Sequence, residues 1–174
     1  INDPDLNELF DDLDLWLDDV LDVDEEKEDE APVVPEEPRV QPGDIFQLGN
    51  HRLVCGDARN LETVELLMDG EKADLVITDP PYNVNYEGSN GLKIQNDDMS
   101  DGDFYQFLYD VYTNMSAVQK EWWSIYVFHA DTEGENFRKA MVNAGYKLSQ
   151  CLIRVKNALV MGRQDYHWKH EPIL

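Results

Sequence analysis

Asp74-Leu75-Val76-Ile77-Thr78-Asp79-Pro80-Pro81-Tyr82 is a short run of branched apolar residues that stops on two adjacent prolines. The apolar part suits a parallel strand buried on both faces. Proline lacks an N–H donor and fixes φ, so neither Pro80 nor Pro81 can extend a central strand, and the chain has to turn sharply after Thr78. An isolated Pro-Pro pair commonly marks no more than such a turn.

On the amino-terminal side, Ile45 to Leu48 and Arg52 to Cys55 flank Gly49-Asn50, a hairpin signal. Leu61, Val64, Leu67 and Met68 then recur at helical spacing up to Gly70. On the carboxyl-terminal side, residues 83 to 102 are rich in Asn, Gly, Ser and Asp and predict a long loop. A helix is expected over 104–118, a strand over 124–128, a helix over 133–143 and a strand over 147–155. Alternation of this kind predicts an α/β domain with a mostly parallel sheet. Ligands of such sheets bind beyond the carboxyl ends of the strands, which directs attention to whatever follows Thr78.

Residues 6 to 21 place Leu6, Leu9, Phe10, Leu13, Trp16, Leu17, Val20 and Leu21 at helical spacing with acids opposite, predicting an acidic amphipathic helix over 1–21. Residues 22 to 42 are acidic and spaced by Pro32, Pro35, Pro38 and Pro42; they predict a linker, because they bury too little apolar area to order themselves. The remaining 43–174 form the third part. The formal charge of −23 argues at first against a nucleic-acid partner. Residues 1 to 39, however, hold 17 acids against Lys27 and Arg39, about −15, which leaves about −8 on the other 135 residues. The acidic segment reads as a solvated tether with a docking helix, the alternative being a DNA mimic over the cleft.

Cys55 and Cys151 each sit in an apolar run without CxxC spacing and are expected to be buried free thiols. With no signal peptide and no membrane-length apolar run, the expected location is the cytoplasm. The chain opens on Ile1 and closes on Pro172-Ile173-Leu174 without turn chemistry, so it is expected to be a segment of a longer protein.

The turn carries a specific chemistry. An exocyclic amine of adenine or cytosine is a poor nucleophile, because its lone pair is delocalised into the ring. A group that accepts both of its hydrogens favours a tetrahedral nitrogen. The Asp79 carboxylate can take one hydrogen bond, and the Pro80 carbonyl, directed by the following Pro81, can take the other. Tyr82 offers a flat face against which a base rotated out of the duplex can stack.

Asp79-Pro80-Pro81-Tyr82 after an apolar strand resembles the catalytic motif of the DNA N6-adenine and N4-cytosine methyltransferases. His51-Arg52-Leu53-Val54-Cys55-Gly56-Asp57-Ala58 is similar to the opening of phage- or prophage-encoded members, which are often fused behind a ParB-like domain. Arg154-Val155-Lys156-Asn157 and Gly162-Arg163-Gln164-Asp165-Tyr166-His167-Trp168-Lys169-His170-Glu171 resemble the family stretch before the target-recognition region. The resemblance covers residues 43 to 174.

It implies an incomplete three-layer, Rossmann-like α/β fold of the S-adenosyl-L-methionine (SAM) methyltransferase type. The implied activity is methylation of adenine N6 in double-stranded DNA, with catalytic Asp79, Pro80, Pro81 and Tyr82 and with SAM beside Asp57 and Asp79. Asp in the first motif position favours adenine, since the cytosine enzymes more often carry Ser. The family's Phe-x-Gly-x-Gly cofactor turn is not found in the chain, so the implied order is the permuted one, with that turn past Leu174 and this segment inactive alone. N4-cytosine methylation, or a non-catalytic interaction module on the same scaffold, stay open as alternatives.

Asn83 and Tyr86 are near enough in sequence to touch the base, and residues 83 to 101 are expected to be a mobile gate over it. Asp57 after Gly56 can equally be an ordinary turn residue. His167, His170 and Glu171 do not match HExxH spacing; no metal is expected, and Trp168 and Lys169 are expected on a structural or DNA-facing loop. Trp122 and Trp123 are expected in the core.

Overall fold

The computed structural model describes residues 37–87, 91, 93–160 and 167–174, with backbone alone at 123 and 158–160. The chain divides after Arg39 into the units Ile1–Arg39 and Val40–Leu174. The acidic helix expected over 1–21, most of the linker, and Gly162 to Tyr166 lie outside the described residues.

The second unit is mixed α/β. Its elements are β1 (Ile45–Leu48), β2 (His51–Val54), α1 (Leu61–Met68), β3 (Ala73–Thr78), α2 (Asp101–Val118), β4 (Gln119–Val127), a 3-10 turn (Asp131–Glu133), α3 (Gly134–Asn143), β5 (Leu152–Val160) and β6 (Trp168–Ile173). β1 and β2 form the expected hairpin, with Gly49 at φ 61° in the turn. α1 starts at Asn60, whose side chain accepts from the Glu62 N–H, and stops where Asp69 and Gly70 turn left-handed at φ 52° and 83°.

α2 begins three residues before the expected Phe104. Ser100 caps it, accepting from the Asp103 N–H and donating to the Asp103 carboxylate, so the helix start is written in polar residues that an apolar periodicity does not report. One stripe of α2 (Phe104, Phe107, Leu108, Val111, Tyr112) packs against Phe137, Ala140 and Met141 of α3 and against Val127 of β4. Phe104 and Phe137 meet edge to face at 5.6 Å.

β3 and β4 pair in parallel, as a strand–helix–strand crossover through α2 demands. β6 pairs antiparallel with β5, and at its end it also meets the end of β4: Phe128 bridges Ile173, and Val127 and Leu174 exchange two hydrogen bonds of 2.9 Å. The described strands therefore form three two-stranded sheets, of which β3–β4 is parallel and the other two antiparallel, and are not mostly parallel. The link between β5 and β6, residues 161–167, is too short for a parallel crossover, which takes a dozen residues or more.

Five further expectations are corrected. The strand expected over 147–155 runs instead from Leu152 to Val160, because β6 supplies partners only from the Leu152–Ile173 pair onward. Trp168 to Glu171 lie on β6, not on a loop. β3 is not buried on both faces: Leu75 and Ile77 are 48% and 66% exposed, on the side opposite the one that Val76 and Thr78 share. Trp122 is fully exposed, because residues 120–123 bulge out of register between the Ala73–Gln119 and Leu75–Ser124 pairs and Trp122 itself turns left-handed at φ 68°. Among the thiols, Cys55 is half-buried but Cys151, on the unpaired approach to β5, is exposed.

Among the described residues, no helix is long and apolar enough to cross a membrane.

Candidate active site

The carboxyl ends of β3 and β4 lie side by side, joined by the Phe128 N–H donating to the Thr78 carbonyl at 3.0 Å. Asp79-Pro80-Pro81-Tyr82 leaves the sheet at this edge. Asp79 is exposed, and Pro80, Pro81, Tyr82 and Asn83 are half-buried. The Tyr82 hydroxyl donates to Asp79 Oδ1 at 2.6 Å, so the first and last residues of the motif close on each other. Among the described residues none donates to Asp79 Oδ2 or to the Pro80 carbonyl, so neither acceptor is occupied by them.

The Tyr82 ring stands edge-on to Phe137, with centroids 6.4 Å apart and planes at 80°. Behind Phe137 lies His129, fully buried just past the end of β4, its ring 5.1 Å from that of Phe137. Neither nitrogen of His129 has a well-directed partner among the described residues, although the carbonyls of Val127 and Pro172 lie close enough to favour its protonated form. Burial outweighs them and lowers its pKa, so the ring is held neutral.

A second carboxylate reaches Tyr82 from β6. Glu171 is 8% exposed, and its Oε1 lies 3.3 Å from the Tyr82 hydroxyl. Arg154 and Lys156, two residues apart on β5, bind it at 3.0 and 3.1 Å. Burial alone raises the Glu171 carboxyl, but the hydrogen bonds and charges of Lys156 and Arg154, with the bond from Tyr82, prevail and hold it below the usual carboxylate range. Burial, then the bond to Asp79, pushes the Tyr82 phenol far up, so the hydroxyl keeps its proton.

Asn83 turns left-handed at φ 59°, and its side chain is committed to the far end of the loop: it donates to the Met99 carbonyl and accepts from the Met99 N–H. Asp97, 3% exposed, accepts from the N–H groups of Val84 and Tyr86. The two ends of the loop expected to be a gate are thus pinned together. The Tyr86 side chain is 57% exposed.

Asp57 takes the turn role. Its carboxylate accepts from the Arg59 N–H and is gripped by the Arg59 guanidinium at 2.6 to 3.1 Å, and these bonds lower its pKa. For a cationic ligand, the exposed Asp79 carboxylate offers its second oxygen, whereas the Asp57 carboxylate is already paired with Arg59.

Among the described residues no three His, Cys, Asp or Glu side chains gather as metal ligands. A groove of about 560 Å³ opens between the β4 bulge and residues 146–152, lined by Gln119, Trp122, Tyr126, Tyr146 and Leu152; none of Asp79 to Asn83 borders it.

Sequence reasoning missed Glu171, Arg154, Lys156, His129 and Asp97 as parts of this neighbourhood. One signal was available: Arg154 and Lys156 share a strand face, and a hairpin register setting Arg154 opposite Glu171 pairs their charges. No protein-family model matches the chain. No curated protein matches it either.

Proposed function

We propose that this chain carries the amine-activating part of a DNA amino-methyltransferase acting on adenine N6. The observation that carries the reading is the pair of open acceptors at the carboxyl end of β3, Asp79 Oδ2 and the Pro80 carbonyl, beside a half-buried tyrosine ring.

An amine whose two hydrogens point at a carboxylate and a carbonyl is drawn toward a tetrahedral geometry, and its lone pair becomes available. The Asp79 charge also stabilises the positive charge that grows on the nitrogen as it attacks. Pro81 fixes the direction of the Pro80 carbonyl, because it restricts the residue before it. Tyr82 presents a ring to a base rotated out of the duplex. SAM, when bound, supplies the electrophilic methyl carbon; by resemblance Asp79 borders it, and Asp57 is a weaker candidate because of its pairing with Arg59. The three-layer SAM-methyltransferase fold belongs to this reading, resting on the parallel β3–β4 pair with the motif at its carboxyl edge.

The test is transfer from labelled SAM to DNA by the full-length protein. Substitution Asp79→Ala is expected to reduce transfer about 10²- to 10³-fold, the scale for loss of one electrostatic stabiliser. A folded D79A protein with undiminished transfer overturns the proposal. Undiminished transfer to DNA lacking adenine moves the target to cytosine N4.

A further inference from the structure

Tyr82 has one phenolic proton and two carboxylates within reach. Asp79 Oδ1 lies at 2.6 Å and Glu171 Oε1 at 3.3 Å, so in the structure the hydroxyl directs its hydrogen bond to Asp79. That arrangement suits the free protein. With the hydrogen bond there, part of the Asp79 charge is already compensated, which weakens the open Oδ2 as an acceptor for an N–H group.

From these distances we infer that Glu171 is a positioning residue: on arrival of the amine it accepts the hydrogen bond of the Tyr82 hydroxyl, and so releases Asp79 to the substrate. The inference rests on the methyltransferase reading of the Asp79 motif. The change needs only rotation of the phenol O–H from one oxygen to the other; no covalent bond breaks and no proton leaves Tyr82.

Three features of the structure fit that use. Glu171 is fixed from behind by Arg154 on Oε2 and Lys156 on Oε1, so it is already in place when the hydroxyl turns. It is buried and held ionised, so an acceptor oxygen faces the phenol. The Tyr82 ring is packed against Phe137 and does not have to move. Glu171 reaches the site from β6, a strand distant in sequence, and so ties the β5–β6 hairpin to the condition of the motif.

The experiment is a double-mutant cycle on the full-length protein, read as KM and kcat for methyl transfer to plasmid DNA, as affinity for duplex DNA without cofactor, and as Tm. Glu171→Leu removes the second acceptor and is expected to raise KM for DNA and weaken DNA affinity about tenfold, the scale of one hydrogen bond to a charged group, with kcat less affected. In a Tyr82→Phe background there is no hydroxyl to redirect, so the same substitution is expected to leave KM and affinity within about twofold, while the Tm loss from the broken Arg154 and Lys156 pairs persists in both backgrounds. Glu171→Gln keeps an oxygen for the phenol; it is expected to raise KM less than Glu171→Leu does, and it serves if the leucine variant does not fold. A penalty of equal size with and without the Tyr82 hydroxyl, or no penalty in either background, overturns the inference while leaving the methyltransferase reading intact. Absence of transfer by the unsubstituted protein sinks that reading, and this inference with it.

Discussion

Asn83 and Met99, sixteen residues apart, exchange two hydrogen bonds, the Asn83 amide donating to the Met99 carbonyl at 3.2 Å and its oxygen accepting from the Met99 N–H at 2.6 Å. Asn83 adopts φ 59° while doing so. One side chain thus closes the loop behind the Asp79 motif, and Asp97 pins the same loop from within by accepting from two backbone N–H groups.

Substitution Asn83→Ala removes both bonds and leaves a Cβ in a left-handed backbone without the polar side chain that tolerates it. It is expected to cost about 2 kcal/mol in urea denaturation. Asn83→Gly loses the bonds but not the backbone compatibility and is expected to cost about 1 kcal/mol. Tryptic cleavage after Lys93 should accelerate in both variants. Equal stability of the alanine variant and the parent would contradict the pinning.

His129 predicts a pH dependence. The ring is buried against Phe137, with Arg138 opposing its charge and Asp131 and the nearby carbonyls favouring it; burial dominates and lowers its pKa from 6.5. The unfolded chain then binds the proton more readily than the folded one, so stability is complete above pH 6.5 and falls as the pH drops from there through the lowered value. A His129→Phe variant is expected to cost less than about 1.5 kcal/mol at pH 8 and to flatten the stability curve below 6.5. Parallel curves for parent and variant would count against a neutral buried imidazole.

Trp122 separates two accounts of the 120–123 segment. A tryptophan in the core would cost about 3–5 kcal/mol on truncation. Fully exposed at φ 68°, it should behave otherwise: Trp122→Gly relieves a strained backbone and is expected to change stability by no more than about 1 kcal/mol, in either direction. Thermal unfolding of the variant decides between them.

The elements that could be read from the sequence are those whose periodicity or turn chemistry is local. Gly49-Asn50 announced the β1–β2 hairpin, Leu61 to Met68 announced α1, and the branched run before Pro80 announced β3. What escaped was set by partners distant in the chain. β5 starts at Leu152 because Ile173 is there to pair with it, and nothing within 147–155 marks that point. β6 escaped because Trp168 to Ile173 alternates poorly and contains a proline. At the site, the Asp79 motif was legible because its four residues are contiguous. Glu171 was not, since it stands 89 residues from the hydroxyl it faces. The apolar pattern around Trp122 likewise misled, because a bulge rotates the side chain that a regular strand would bury.

Glu171 gives the last expectation, an acid limb in the stability of the β5–β6 hairpin. Its carboxyl is depressed from 4.5, with Lys156 and Arg154 outweighing burial, so it contributes stability that is fully present above 4.5 and is lost as the pH falls below that value through the depressed one. In Glu171→Gln the charge is absent at every pH. Parent and variant are therefore expected to differ most in Tm near pH 7 and to converge as the pH falls through the depressed value, where the parent carboxyl becomes protonated as well. Both ion-pair partners are cations of β5, so Lys156→Met is expected to reproduce part of the pH 7 deficit and to shift the parent's acid limb to higher pH by weakening what holds Glu171 ionised. A Tm gap between parent and E171Q that stays constant across the whole acid limb of the parent would mean that the charge on Glu171 is not what binds β6 to its neighbours.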